Sequence, residues 1–568
     1  MKHLVRAGAF LGLALLSACS AKTPESVAPA PDVRAIVTSN PAIYWNQATI
    51  YFLLTDRFLN GDPSNDLALG RTREGGKLRT FQGGDLAGVL QKIEEGYFED
   101  LGVDVLWMTP FQEQNRGATD EGTGRTYAYH GYWIQDWTAV DPALGTPEDL
   151  RAVVDAAHAR GIRVLMDAII NHTGPVMAED PVWPSDWVRT SPRCEFDDYE
   201  TTVSCTLVEN LPDILTESDE EVELPPQLLE KWKREGRLEL ELAELDAFFE
   251  RTDHPRAPRF YLIKWLTDWV REYGFDGYRL DTAKHFEEWV GPELKAEAER
   301  AFADWRLANP DRVLDDLPFY MMGEVYNYSM TNGRLFDFGG GDVVDFFDYG
   351  YDGLINFDFS NRTDESLDDL FTRYSHALRD GKLQGVSIIN YSSSHDDDTP
   401  WDAARKYPFL AGTRLLLAPG GAQIYYGDEV ARPLVVAGAR GDANLRSNMS
   451  WQAMEGPAYT AELLEHWQKL GRFRHDHPAV GAGEHQRLRV EPYIFSRTLE
   501  KDGYVIDRVI VALDLEAGPK TIMVYGLFPD GTELWDAYSG KAAVVTDGDI
   551  ALDTDYDMVL LSAEEVAR

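Results

Sequence analysis

The stretch PEDLRAVVDAAHARGIRVLMDA, residues 147–168, changes its hydrophobic period part-way. Up to Arg160 the apolar residues fall at helical spacing. Gly161 ends that pattern, and 162–168 is a short apolar run of strand length. The same succession recurs at 260–273, Gly274 and 275–280. Outward from these two units, bounded apolar runs lie at 50–54, 103–108, 162–168, 275–280, 319–322, 354–357, 386–391 and 422–426. Strand and helix in alternation argue for an α/β chain with a parallel sheet inside and helices outside, and eight such runs fit a (β/α)₈ TIM barrel.

Two intervals break the rhythm. Residues 173–258 hold Cys194 and Cys205, the acidic run 217–223 and a charged helical piece near 227–250, and read as a domain inserted after strand three. The charged piece is either a solvated face or a rim that limits access to a cleft. Beyond residue 480, the runs 493–498, 508–514 and 520–525 read as short antiparallel strands separated by turns, a small β-sandwich. The organisation expected is thus a barrel from 43–172 and 259–480, an inserted domain at 173–258 and a C-terminal β-sandwich domain at 481–568.

The N-terminus has a charged start, an apolar segment at 7–16 and Leu16-Ser17-Ala18-Cys19. That is an export signal, too short for a permanent span. Its last four residues resemble a bacterial lipobox, which implies cleavage before Cys19, lipidation of its thiol and a tether over 19–42. An ordinary cleaved signal is the alternative. Loss of Lys2 and Arg6 with the first eighteen residues moves the formal net charge from −42 to −44. A surface this acidic repels phosphate backbones and anionic headgroups, which argues against nucleic acid and leaves a lipid anchor as the only membrane contact. A monomer is expected. In an oxidising compartment Cys194 and Cys205 would pair, closing a short loop worth about 3 kcal/mol. Two free thiols are the alternative, and no His or Cys cluster accompanies them to favour a metal.

In such a barrel the C-terminal strand ends meet at one face. Strand three ends in DAIINH (167–172), strand four in GYRLDTAKH (277–285), strand five in Gly323-Glu324 and strand seven in Ser394-His395-Asp396. Asp281, Glu324 and Asp396 would therefore share a cleft with Arg279, His395 and His130. Cleaving an acetal needs a proton for the departing oxygen and an anion for the oxocarbenium-like centre, so one carboxyl must stay protonated while another stays ionised. Arg279, two residues before Asp281 and on the same side of the strand, would keep it charged and aligned. Glu324, facing two other carboxylates, would have its proton affinity raised. The aromatics of YHGYW (129–133) offer flat faces for a neutral sugar, Tyr132 more than Trp133, which suits core packing. Side-chain oxygens of Asn60, Asp62, Asn65 and Asp66 crowd a tight turn, as Ca²⁺ requires, and a solvated turn is the plain alternative.

Together these motifs resemble those of the α-amylase superfamily, glycoside hydrolase family 13, over residues 43–480 and more loosely beyond, in a form most like its exported, periplasmic bacterial members. DAIINH, GYRLDTAKH, GEVY (323–326) and SSSHDD (392–397) look like its four strand-end motifs, and LPDI (211–214) like the extra one in the inserted domain. The resemblance implies a retaining hydrolase of α-1,4 bonds in starch, glycogen or maltodextrins. Asp281 would be the nucleophile, Glu324 the acid/base about 5 Å away, and Asp396 the grip on sugar hydroxyls. His130, Tyr132, Arg279 and His395 would line the subsite of the attacked sugar, Asp167 would support it, and Lys284 and His285 would lie toward the leaving group. It also implies one calcium at Asn60, Asp62, Asn65, Asp66, Gly83 and Asp85, and another at Asn171, Asp213 and the backbone of His285. Ser394 stands where chloride-activated members carry an asparagine, which argues against a chloride requirement. Two other readings are open: a transglycosylase, cyclodextrinase or α-glucosidase of the same family, and an inactive glycan-binding surface lipoprotein.

Overall fold

A computed structural model describes residues 33–120, 122–362, 365–379, 381–397, 399–454 and 458–563. The expected export signal and Cys19 lie outside the described residues. Eight parallel strands close into a barrel: β1 Thr49–Leu53, β2 Val105–Met108, β3 Arg163–Ala168, β4 Gly277–Leu280, β5 Tyr320–Gly323, β6 Gly353–Asn356, β7 Ser387–Tyr391 and β8 Gly421–Tyr425. Each pairs with its neighbours in chain order, and β1 closes on β8 with Thr49 opposite Ala422. All eight are buried along their whole length, which is why they read as unbroken apolar runs.

The helix Pro147–His158 begins with a reciprocal cap. The Thr146 hydroxyl accepts the Asp149 N–H at 3.2 Å, and the Asp149 carboxylate accepts the Thr146 N–H at 2.8 Å. Gly161, at φ 75°, then turns the chain into β3.

Between β3 and β4 the charged piece forms two helices, Pro226–Glu235 and Leu238–Thr252, divided where Gly236 takes φ 76°. They bury Leu228, Trp232, Leu245, Phe248 and Phe249. Asp136 anchors the junction between them, 2.7 Å from the Lys231 ammonium and bonded to the Arg237 guanidinium. Cys194 and Cys205 in the same interval are joined by a disulfide.

After the barrel, a six-stranded antiparallel sheet starts with Glu484–Arg489, Tyr493–Lys501 and Tyr504–Leu513, and a two-stranded sheet pairs Gly518–Met523 with Asp549–Thr554. A separate apolar core, including Ile510, Ile522, Ile550 and Leu561, lies between them. Among the described residues no helix is long and apolar enough to cross a membrane.

Candidate active site

Arg279 on β4 is the Cα partner of Asp167 on β3 and Met322 on β5, so its side chain enters the barrel mouth between two other strand ends. Its guanidinium is almost wholly buried and meets three carboxyls. Nη1 lies 2.7 Å from Asp167 Oδ1 and 2.6 Å from Asp281 Oδ1, and Nη2 lies 2.8 Å from Glu324 Oε1. Alternation along β4 brings Asp281 to the same side as Arg279, and Glu324 follows Gly323, which pairs with Leu280.

Glu324, Asp167 and Asp396 have different surroundings. Burial pushes the Glu324 carboxyl well above its ordinary range, Arg279 and the Thr282 N–H (2.9 Å) pull it back, and the charges of Asp281 and Asp396 push it up again. Asp167 is raised by burial to about 6 against the pull of Arg279, and its Oδ2 accepts the Tyr132 hydroxyl at 2.9 Å and the Trp107 indole N–H at 3.0 Å. Burial also raises Asp396, with Arg446 and Arg279 opposing, although 39% of its side-chain surface stays open. Burial drives His130 and His395 well below their ordinary range, so both rings are neutral hydrogen-bonding groups near pH 7.

Asp281, Glu324, Asp396, His130, Tyr132 and His395 line one cavity of about 180 Å³. Tyr132 stacks on His395 with centroids 5.0 Å apart. Trp133 packs with Ala128 and Leu211 and also turns an edge to His130. Larger hollows, about 850 and 840 Å³, lie elsewhere around Arg373 and Tyr538 but do not gather the strand-end carboxyls.

Sequence reasoning missed three charged lining groups, Arg79, Asp442 and Arg446. Asp442 lies 2.6 Å from Arg79 Nη2 and 2.5 Å from Arg446 Nη1, and these cations hold it down at about 2 against its burial. Arg446 Nε also donates to the His395 carbonyl at 2.8 Å. The available signal was an aspartate and an arginine four residues apart just beyond β8.

Lys284 is half-buried and does not line the cavity. Its ammonium sits 5.4 Å over the rings of both Tyr326 and Phe336. His285 is buried, with Nδ1 3.2 Å from the Thr202 carbonyl oxygen. None of the acidic residues 217–250 lines the cavity.

Among the described residues no group of three or more His, Cys, Asp or Glu is arranged to hold a metal, so a cation would have to draw on amide and backbone oxygens. Each of the two places expected to hold calcium offers one buried amide oxygen without a hydrogen-bond partner. Asn65 Oδ1 is buried without a hydrogen-bond partner, and a Cβ on Gly83 would fall 2.4 Å from Asp66 Oδ1 and 2.5 Å from Asn60 Nδ2. Nearby, Asp85 accepts the N–H groups of Gly61 at 2.9 Å and Asp62 at 2.7 Å, which shapes the turn. At the second place Asn171 Oδ1 is likewise buried and unpaired, while Asp213 is engaged by Arg189 Nε at 2.8 Å.

A closed parallel barrel whose mouth gathers differently tuned carboxyls around one guanidinium, beside neutral histidines and an aromatic face, holds the groups that cleavage of a glycosidic bond calls for. Residues 52–483 match the family model described as the alpha amylase catalytic domain. The chain is 36% identical over 516 residues to the periplasmic alpha-amylase of Escherichia coli, covering 80% of this chain and 71% of that protein. It is 25% identical to a cyclomaltodextrin glucanotransferase of Geobacillus stearothermophilus, covering 85% of this chain and 62% of the other, and 26% identical to a Bacillus cyclomaltodextrinase, covering 83% and 73%. An Anoxybacillus alpha-amylase structure superposes with TM-score 0.62 at 21% identity, covering 92% of this chain and 99% of that one. The chain belongs to the α-amylase family.

Proposed function

We propose that the protein is a retaining α-amylase that hydrolyses α-1,4-glucosidic bonds in starch, glycogen or maltodextrins. The observation that carries this reading is the Arg279 guanidinium shared by Asp281 and Glu324 at 2.6 and 2.8 Å. One cation holding both acids leaves them side by side, as double displacement requires.

Glu324, protonated because it is buried, gives its proton to the departing glycosidic oxygen as Asp281 attacks the anomeric carbon. The Glu324 carboxylate then takes a proton from water, which displaces Asp281 from the glycosyl ester and restores the α configuration. Asp396, with His130 and His395, grips sugar hydroxyls, Tyr132 stacks on the ring, and Asp167 fixes Arg279.

Fresh products from maltoheptaose should therefore be α-anomers when followed by NMR, mutarotating only later. Initially β products would overturn the reading. The named relatives include a glucanotransferase and a cyclodextrinase, so product sizes from starch, maltotriose and a cyclodextrin separate those family alternatives. An inactive glycan-binding lipoprotein would release no product at all.

Asn60, Asp62, Asn65, Asp66, Gly83 and Asp85 would hold one Ca²⁺, and Asn171, Asp213 and the His285 backbone another. The ion would tie loops together and balance carboxylate charge, without entering the proton transfers. Exhaustive chelation should lower Tm by about 5 °C relative to calcium at 100-fold over its Kd. An unmoved Tm in calorimetry would count against both ligand sets. Export is supported by the N-terminal pattern and by the relative named as periplasmic, and anchoring by Cys19 to the bacterial envelope is the finer part of the proposal.

A further inference from the structure

The loop closed by Cys194 and Cys205 is internally knotted. The Thr201 hydroxyl accepts the N–H groups of Asp197 and Asp198 at 3.1 and 3.0 Å and donates to Asp198 Oδ1 at 2.7 Å. Its two ends are joined by Cys194 N–H to Thr206 O at 2.9 Å and Thr206 N–H to Pro192 O at 2.8 Å, and both cysteines are buried.

This loop docks on the turn that follows β4. The Thr202 carbonyl can only accept, so His285 donates to it from Nδ1 at 3.2 Å. The Tyr199 hydroxyl donates to Glu288 Oε2 at 2.5 Å, and the Phe196 ring meets the His285 ring with centroids 5.8 Å apart.

The turn itself is strained. Thr282, a β-branched residue, stands at φ 48°, and the His285 N–H closes the turn on the Thr282 carbonyl at 2.8 Å. The other end of the turn holds Glu324. Thr282 N–H donates to Glu324 Oε2 at 2.9 Å, and Ala283 N–H donates to the Glu324 carbonyl at 2.9 Å. A continuous set of bonds thus runs from the disulfide loop through Thr202, His285 and Thr282 to that carboxyl.

We propose that the Cys194–Cys205 loop is a brace for proton transfer: it keeps the 282–285 turn in its strained form, which in turn aligns Glu324 with the glycosidic oxygen. Cys194 and Cys205 are positioning residues in this account. A relaxed turn, with Thr282 at negative φ, would swing its N–H off the carboxyl. The inference rests on Glu324 being the acid, as proposed above.

The test compares kcat/KM, which reports the steps up to the glycosyl-enzyme, on maltoheptaose and on α-maltosyl fluoride. Maltoheptaose needs a proton on its leaving oxygen. Fluoride departs with the bonding electron pair and needs none. For the double variant Cys194→Ser/Cys205→Ser, kcat/KM on maltoheptaose should fall about 10- to 100-fold, while that on the fluoride stays within about threefold of wild type. Equal falls on both substrates, or no fall on either, would overturn the brace. Should the double variant not fold, the native enzyme is reduced with a phosphine under thiol counting and then reoxidised. The same split must appear and then vanish. Tyr199→Phe, which removes the bond to Glu288 but keeps the disulfide, should show a smaller split of the same sign, and its absence counts against the proposal. Glu324→Gln is the control. If it shows no split, the acid assignment fails and the brace with it. If it shows the split and the cysteine variant does not, only the brace fails.

Discussion

Asp281→Asn should remove hydrolysis of maltoheptaose by about 10⁴-fold or more in kcat, the scale on which loss of a covalent nucleophile is felt. The substitution preserves shape, so the protein should stay folded, and circular dichroism and Tm check that. Asparagine offers no anion at the anomeric carbon, and Arg279 loses a partner at 2.6 Å. The negative charge of Asp281 also raises the Glu324 and Asp167 carboxyls, so both should titrate lower in the variant than in the wild type. A smaller variant, Asp281→Gly, leaves room for azide. With α-maltosyl fluoride, azide should attack from the vacated side, fluoride should leave with the bonding electrons, and the product should be the β-glycosyl azide. Recovery of the α-azide, or wild-type turnover of maltoheptaose by Asp281→Asn, would show that another group makes the covalent bond.

The barrel was legible because its strands are buried on both faces. Expected and observed bounds differ by two residues or fewer, as at 103–108 against Val105–Met108 and 275–280 against Gly277–Leu280. Where burial is partial the signal weakened. The hairpin Leu335–Gly339 and Asp342–Asp345 escaped notice because exposed and buried residues mix along it and three glycines sit at its turn. The piece read as one helix near 227–250 is two, because the pattern of charge continues across Gly236 while the backbone does not.

At the site the same contrast holds. Arg279 could be assigned to Asp281 because residues two apart on a strand share a side. Its bonds to Asp167 and Glu324 depend on closure of three strands, and the alignment of Thr282 with Glu324 depends on a strained turn. Arg79 and Asp442 are 363 residues apart, and only the paths of two loops bring them together. Lys284 was expected beside the leaving group because it lies in the strand-end motif. The turn sets its ammonium over the rings of Tyr326 and Phe336, with the Glu324 charge as its electrostatic neighbour.

Arg279 is the group through which stability and catalysis meet, and Arg279→Lys should be nearly as damaging to turnover as removal of the side chain. A guanidinium can present separate N–H groups to Asp167, Asp281 and Glu324 at 2.6 to 2.8 Å. A single ammonium on a flexible stem cannot meet all three. The expected loss in kcat is about 10²- to 10³-fold, the scale on which a preorganised electrostatic contact counts. In Arg279→Met the carboxyls lose their buried cation altogether and must take up protons or leave the mouth, and breaking a buried pair in this way costs about 3–5 kcal/mol. The sign of the pH dependence follows. Asp167 already titrates at about 6 when folded, above an ordinary carboxyl, so its burial lowers stability as pH rises through that value. Without Arg279 the Asp167 and Glu324 carboxyls rise further, and the penalty at pH 8 should exceed that at pH 5. Differential scanning calorimetry of wild type and Arg279→Met at the two values should show the larger Tm deficit at pH 8. An equal deficit at both, or a lysine variant within about threefold of wild-type kcat, would mean that the mouth does not depend on this guanidinium to hold its acids in place.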